Sequence, residues 1–212
     1  MGLTIAQISI SLDGFVAGPN QSLDDPIGEG GMRLHQWLFE TNAWSTAQGL
    51  EPRPPSPDDE AAEDLARPMG AFIMGRHMFG GGTAGWDPSW RGWWGENPPY
   101  HAPVFVLTHH AREPLPMEGG TTFYFVTDGI DSAYAQAKKA AGDKDIRIAG
   151  GAQAIQQFIR ARRLEELTLD IAPILLGAGE RLLENVGDPV LSPVKVIAAA
   201  RATHVKYRIE YK

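Results

Sequence analysis

Apolar residues along this chain fall into short runs of strand character, separated by stretches in which they recur at helical spacing. Leu3 and Ile5, then Ile8, Ile10 and Leu12, alternate with polar residues, but the phase slips between Ile5 and Ile8. Segment 3–12 is therefore predicted as a strand that either carries a bulge or is buried on both faces. A loop rich in Gly, Pro and Asn follows from Asp13-Gly14 to Gly31, and Leu34, Trp37, Leu38 and Thr41 then mark one face of a first helix. Residues 51–57 (EPRPPSP) form a proline-rich break. Ser56, with Pro57 next and Asp59 three positions on, is the expected N-cap of a second helix running to about Arg67.

Buried strands are predicted at 71–74, 104–107 and 122–126, with a long surface loop over 80–103. Ala133, Tyr134, Ala137 and Ala141 share a helix face that ends near Gly142. The run 146–149 stops at Gly150-Gly151, after which Ile155, Phe158 and Ile159 return at helical spacing. Segment 167–171 is a further strand, followed by the run 173–179. Two long strand candidates close the chain. In the second, Thr203, Val205, Tyr207, Ile209 and Tyr211 alternate with His204, Lys206, Arg208 and Glu210, the pattern of a half-exposed antiparallel strand. Strands alternating with helices and ending in a hairpin imply an α/β fold with a mixed sheet.

At 212 residues with 43% hydrophobic and 21% charged positions, one domain over 1–212 is expected. No apolar run reaches the roughly 18 residues of a membrane helix, and no internal repeat is visible. The sequence enters its first strand without a basic leader or cleavage site, which favours the cytoplasm. Without cysteine there is no disulfide framework and no thiolate chemistry. A net charge of −7 argues against general nucleic-acid binding, which depends on Lys and Arg neutralising phosphates. The six histidines are scattered, so no metal site is expected. No G-x-S-x-G or P-loop pattern is present, which removes the common hydrolase and phosphotransfer readings.

Candidate chemistry gathers at three strand ends. Strand 71–74 runs into Gly75-Arg76-His77, strand 104–107 into Thr108-His109-His110-Ala111-Arg112, and strand 146–149 into Gly150-Gly151. Glycine before a helix leaves unpaired N–H groups at the positive end of the helix dipole, a place for the pyrophosphate of a dinucleotide. It also serves turn geometry alone. Arg76 and the histidines suit a phosphate monoester, although each singly reads more readily as a solvated surface group. Ligands of α/β sheets sit beyond the carboxyl ends of parallel strands, so the three together point to a dinucleotide with an extra phosphate.

The motifs then show a resemblance. Ser11-Leu12-Asp13-Gly14-Phe15-Val16-Ala17 resembles the first strand and loop of the dihydrofolate reductase-like superfamily, closest to its riboflavin-biosynthesis reductase (RibD C-terminal domain-like) branch. Gly75-Arg76-His77-Met78-Phe79 is similar to that branch's GR-x-x-F signature, and residues 94–109 (WGENPPYHAPVFVLTH) to a block of its small stand-alone members. Ile148-Ala149-Gly150-Gly151 and residues 171–179 (IAPILLGAG) complete the set in order, over roughly 3–211. The resemblance implies a three-layer α/β/α domain around a mixed, mainly parallel sheet with a C-terminal antiparallel hairpin. It implies NADPH binding and hydride transfer to a pyrimidine- or pterin-like ring, as in 5-amino-6-(5-phosphoribosylamino)uracil reductases or dihydrofolate reductases. By position, Gly75, Arg76 and His77 would meet the adenosine 2′-phosphate with Thr108 and His109 beside them. Gly150, Gly151, Ala152 and Gln153 would hold the pyrophosphate, and Ala17 and Gly18 would lie near the nicotinamide.

One departure matters. Aligning Trp37 with the tryptophan of the first helix in true dihydrofolate reductases puts Leu34 where those enzymes carry an acid, which argues against folate reduction. Asp13 is the alternative acid, by the resemblance to the riboflavin branch; an Asp-Gly pair is otherwise a simple turn. The alternative to an enzyme is a non-catalytic NADP-binding or regulatory homodimer. A reductase with another cofactor is the third possibility. Trp86, Trp90, Trp93, Trp94 and Tyr100 could cover a flat ring, form a dimer interface or pack beneath their own loop. The long C-terminal strands could also pair across a two-fold axis.

Overall fold

The computed structural model describes residues 2–80 and 87–212. The elements, in chain order, are β1 (Thr4–Ser11), β2 (Phe15–Ala17), a 3₁₀ turn (Gly31–His35), α1 (Gln36–Phe39), α2 (Asn42–Ala47), α3 (Asp58–Ala66), β3 (Ala71–Gly75) and α4 (Arg76–Phe79). They continue with β4 (Pro103–Leu107), β5 (Leu115–Pro116), a short 3₁₀ turn (Glu118–Gly120), β6 (Thr122–Val126), α5 (Ile130–Ala141), β7 (Ile146–Gly150) and α6 (Ala152–Arg160). The last strands are β8 (Glu166–Ala172), β9 (Glu180–Arg181), β10 (Val190–Ala198) and β11 (Thr203–Glu210).

Among the described residues, nine strands form one sheet in the order β10-β11-β8-β1-β7-β3-β4-β6-β5, and β2 pairs with β9 in a separate ribbon. The six strands from β8 to β6 are parallel to one another. β11 and β10 close one side as an antiparallel hairpin, and β5 closes the other. The mixed, mainly parallel sheet with a C-terminal hairpin is thus present. β10 is the outer strand and exposes Val190, Val194 and Val196.

The central strands are covered on both faces. Ala6 and Ile10 of β1, Ala71 and Ile73 of β3, and Ile146 and Ile148 of β7 pack with α5 and α6 in one core. Their neighbours in sequence turn the other way: Ile5, Phe72 and Met74 meet Phe79, Phe123 and the aromatic loop. The phase slip in 3–12 is therefore two-faced burial. β1 keeps a continuous register with β8 and has no bulge there.

On the second face, towards α3, the inward side chains are polar. Gln7 donates to the Ala61 carbonyl at 3.0 Å, and Ser9 accepts from Trp37 Nε1 at 3.0 Å. Arg147 donates to the Asp64 carbonyl at 2.7 Å and to that of Leu65, in the last turn of α3. Burial pushes that guanidinium's pKa down to about 10. The Arg147 bonds satisfy last-turn carbonyls of α3 that lack a partner within the helix.

Several boundaries differ from the sequence-based expectation. The single helix expected around 34–41 is split into the 3₁₀ turn, α1 and α2, because Thr41 leaves helical geometry and caps α2, accepting from Trp44 N–H at 3.2 Å. Pro57, not Ser56, occupies the cap of α3, and Asp59 reaches back to Ser56 N–H at 2.7 Å. β11 is not half-exposed throughout, since α3 covers His204 completely.

Candidate active site

The parallel register carries the strand ends to a common rim. Met74 pairs with Gly150, Gly75 with Leu107, and Leu107 with Val126. The segments that follow emerge side by side and bound a cavity of about 630 Å³, within the size range of small-molecule and cofactor sites. Ala17, Gly75, Arg76, His77, Thr108, His109, Gly150, Gly151, Ala152 and Gln153 all line it. Arg76, Thr108 and Gly150, far apart in sequence, thus share one wall.

The Gly150-Gly151 turn differs between its two residues. Gly150 has φ +129°, and a Cβ there would stand 3.4 Å from Met78 Sδ. A Cβ on Gly151 would meet nothing within 4 Å. Gly151 caps α6 without a side-chain bond, at the positive end of the helix dipole. Arg76 is half-buried where β3 passes into α4, and desolvation lowers its pKa. Thr108 Oγ1 accepts from His110 N–H at 3.1 Å, which turns the chain beyond β4 and leaves His109 exposed at the cavity.

The cavity also has apolar walls, among them Ile8, Val16, Pro26, Ile27, Trp93 and Trp94. His35 and Glu180 also line the cavity. Burial lowers the pKa of His35, a hydrogen bond to the Gly31 backbone acting the other way. Its Nδ1 is shielded from solvent with no hydrogen-bond partner among the described residues. Glu180 arrives on β9, paired with Ala17.

Two of the expected site residues do not line the cavity. Gly18 is locked into its loop: its N–H donates to the Ile27 carbonyl at 2.8 Å, and a Cβ would lie 2.0 Å from the Glu29 oxygen. Asp13 ties two loops together. Its carboxylate accepts from Ser11 Oγ at 2.6 Å, Leu176 N–H at 3.1 Å and Gly177 N–H at 2.7 Å. The Ser11 hydroxyl foremost, with these amides, lowers its pKa to about 2. A carboxyl held ionised in this way has no proton to deliver near neutral pH.

The aromatic loop packs and lines at once. Trp90 Nε1 donates to the Phe79 carbonyl at 3.0 Å, and Arg112 donates to the Trp90 carbonyl at 2.7 Å. Trp94 stacks on Phe123 at 6.0 Å and meets Tyr100 edge-on at 5.1 Å. Trp93 and Trp94 reach the cavity; Trp86 lies outside the described residues. The cavity also contains groups that sequence reasoning passed over. Thr127 and Gly129 follow β6, a fourth strand end to which the same logic applied. His35 gave no local signal, because the path of the preceding loop decides where it points.

Residues 3–205 match the RibD C-terminal domain family, so the chain belongs to that family. Comparison with curated protein sequences gives no match. Among solved structures, the chain is similar to a protein assigned to riboflavin biosynthesis from Shewanella sp. PV-4 (23% identity, 99% of each chain covered, TM-score 0.63). It is similar to a dihydrofolate reductase from Enterococcus faecalis complexed with NADP(H) (14% identity, 99% and 98% covered, TM-score 0.51). It also resembles a diaminohydroxyphosphoribosylaminopyrimidine deaminase/5-amino-6-(5-phosphoribosylamino)uracil reductase from Thermotoga maritima (11% identity, TM-score 0.54), of which it spans 56% while 98% of its own length is covered. These likenesses establish a dihydrofolate reductase-like fold. Among the described residues no helix is long and apolar enough to cross a membrane.

Proposed function

We propose that this protein is an NADPH-dependent reductase that passes a hydride to a small, pyrimidine- or pterin-like ring. One observation carries the reading: Arg76, Thr108 and the Gly150-Gly151 end of α6, which no side chain caps, line one cavity together with apolar and aromatic residues. The donors present fit a phosphorylated dinucleotide. Open space at Gly151 admits a bulky pyrophosphate close to backbone N–H groups, and Arg76 with His77 suits a phosphate monoester. Ala152 and Gln153 continue the pyrophosphate wall, Thr108 and His109 flank the monoester, and Ala17 lies beside the nicotinamide position.

When bound, the cofactor supplies the hydride. The protein's own contribution is orientation and exclusion of water. Val16 and Ile27 present apolar walls to a flat ring, and Trp93 and Trp94 add aromatic surface to the same cavity. Family membership supports reductase chemistry, and the NADP(H) complex of the Enterococcus faecalis neighbour supports the choice of cofactor. Calorimetric titration with NADPH tests the reading directly, and absence of binding overturns it. NADPH consumption with a panel of pyrimidines, pterins and quinones tests turnover.

The second reading, a non-catalytic NADP-binding protein, is favoured by one fact. Leu34 is fully buried and Asp13 is engaged elsewhere, so Glu180 is the one carboxylate lining the cavity among the described residues. Tight NADPH binding with no turnover of any ring substrate would select it. In either case we propose a homodimer formed along β10, whose edge exposes Val194 and Val196; light scattering reads it.

A further inference from the structure

Arg76 and Glu180 are the one permanent cation and the one carboxylate that line the cavity among the described residues, and they enter it from different strands. Residues 81–86 (GGTAGW) carry no charged side chain. Across the sheet the order is β1, β7, β3, β4 and β6. The groups suited to phosphate follow β7, β3 and β4, namely Gly150-Gly151, Arg76 and Thr108. A dinucleotide held by them would keep its adenosine beside β3 and β4 and its pyrophosphate at β7. Its nicotinamide would then extend past β7 towards β1. From that side come Ile8 of β1, Val16 and Ala17 of β2, and Glu180 of β9, which pairs with Ala17.

Neighbouring residues direct Glu180 into the cavity. A Cβ on Gly179 would lie 2.0 Å from the Ala17 carbonyl oxygen, so glycine lets β9 close on β2. Leu182 is fully buried, and its N–H donates to the Gly14 carbonyl at 3.1 Å. Between them Arg181 lies outside the cavity lining, donating to the Asp13 carbonyl at 2.8 Å, with its guanidinium 4.2 Å from the Phe15 ring centre. Adjacent side chains of a strand point to opposite faces. Glu180 is thereby left half-buried at the cavity, without a side-chain hydrogen bond or ion pair to any described residue. Arg181 pairs with Glu184 instead, at 3.5 Å.

The two oxidation states of a nicotinamide ring differ by one hydride, and so by one unit of positive charge. We propose that Glu180 makes the cavity discriminate between them, favouring the oxidised, cationic ring over the reduced, neutral one. The inference rests on the dinucleotide reading and adds a residue that senses the oxidation state of the cofactor. Ile8, Val16 and Ala17 border the same wall, and charges interact more strongly beside such apolar surface than in open water. Oxidised cofactor therefore competes with NADPH more strongly than their shared phosphates alone would allow.

Calorimetric titration of the full chain with NADPH and with NADP+, in the absence of substrate, gives the ratio of the two dissociation constants. Phosphates and adenosine are common to both forms, so the ratio isolates the charge on the ring. Glu180→Gln should move it about three- to fivefold against NADP+, the worth of a partly exposed ion pair, and Glu180→Asp, which keeps the charge, should stay within about twofold of wild type. Added salt should shrink the wild-type preference and leave the ratio of Glu180→Gln unchanged. A ratio unmoved in Glu180→Gln overturns the inference alone and leaves the dinucleotide reading intact. An equal shift in Glu180→Asp does the same, since it would assign the effect to packing and not to charge. A wild type that binds neither form overturns the dinucleotide reading, and this inference with it.

Discussion

The Nδ1 of His204 lies 2.7 Å from a carboxylate oxygen of Asp170, with both side chains buried. On the other side of the same ring, Nε2 lies 2.9 Å from Asp58 of α3. Gln7 donates to Asp170 as well, and Trp37 meets the imidazole edge-on at 4.7 Å. The cluster joins α3 to β8 and β11. His204→Leu would leave two buried carboxylates without their shared partner. Breaking a buried ion pair from one side costs about 3–5 kcal/mol, so urea unfolding should show a loss of that order. A loss below about 1 kcal/mol would mean that water or repacking replaces the imidazole.

The same cluster makes stability depend on pH. Burial opposes a charged imidazole, but hydrogen bonds to Asp170 and Asp58 prevail and raise the pKa of His204 above its ordinary 6.5. Burial likewise raises Asp170 above 3.8, favouring its protonated form. A group with a raised folded pKa stabilises fully below its unfolded value and loses that contribution as pH rises through the folded value. For His204 the contribution is complete below about 6.5 and declines on the alkaline side. Chemical denaturation midpoints should therefore fall from neutral to alkaline pH in the wild type, and the slope should flatten in His204→Gln.

How much of this was legible in the sequence follows from where each signal resides. Strand ends such as Gly75-Arg76 and Gly150-Gly151 announce themselves locally, because glycine and basic residues after a buried run have few structural uses; all four residues line the cavity. The polar layer under α3 was not legible. Gln7, Ser9, Asp170 and His204 each look like the solvent-facing half of an alternating strand, and only the placement of α3 shows that they are covered. Asp13 resembled a candidate acid because a sequence does not show which backbone amides will reach it from residues 176 and 177. His35 depends on the path of the long loop before it, which no periodicity encodes.

The two adjacent glycines should respond differently to alanine. Gly150 sits at φ +129°, a region that L side chains rarely adopt, and its Cβ would press on Met78. Gly150→Ala should lose about 1–3 kcal/mol of stability by thermal or urea unfolding. Gly151 has φ −68° and open space around its Cβ direction. Gly151→Ala should keep its stability within about 0.5 kcal/mol and lose NADPH affinity if the pyrophosphate lies against that backbone.

Asp13→Asn tests loop tying against proton delivery. The folded pKa of Asp13, about 2, lies below its ordinary 3.8. Its stabilising contribution is thus present above 3.8 and is lost as pH falls towards 2. The variant keeps one carbonyl oxygen for the Leu176 and Gly177 amides but loses the charge. Hydrogen exchange should quicken at those two amides, while the pH–rate profile of any NADPH oxidation near neutrality should keep its shape. A profile that loses its acid limb in Asp13→Asn would restore Asp13 as the proton source.

Arg76 offers the sharpest discrimination between cofactors. Its guanidinium is partly desolvated at the cavity wall next to Gly75, where a Cβ would stand 3.7 Å from the Gly151 nitrogen. A phosphate monoester there would gain a charge-assisted, two-pronged contact that a plain hydroxyl does not match. Arg76→Ala should therefore weaken NADPH by roughly 10–100-fold, the worth of a hydrogen bond to a charged group, and leave NADH nearly unchanged. The loss should also shrink with added salt, since part of it is screened Coulomb attraction. Parallel titrations of both cofactors at low and high ionic strength would decide the matter. Equal losses for NADPH and NADH would place Arg76 in the scaffold of α4 and leave the 2′-phosphate without this contact.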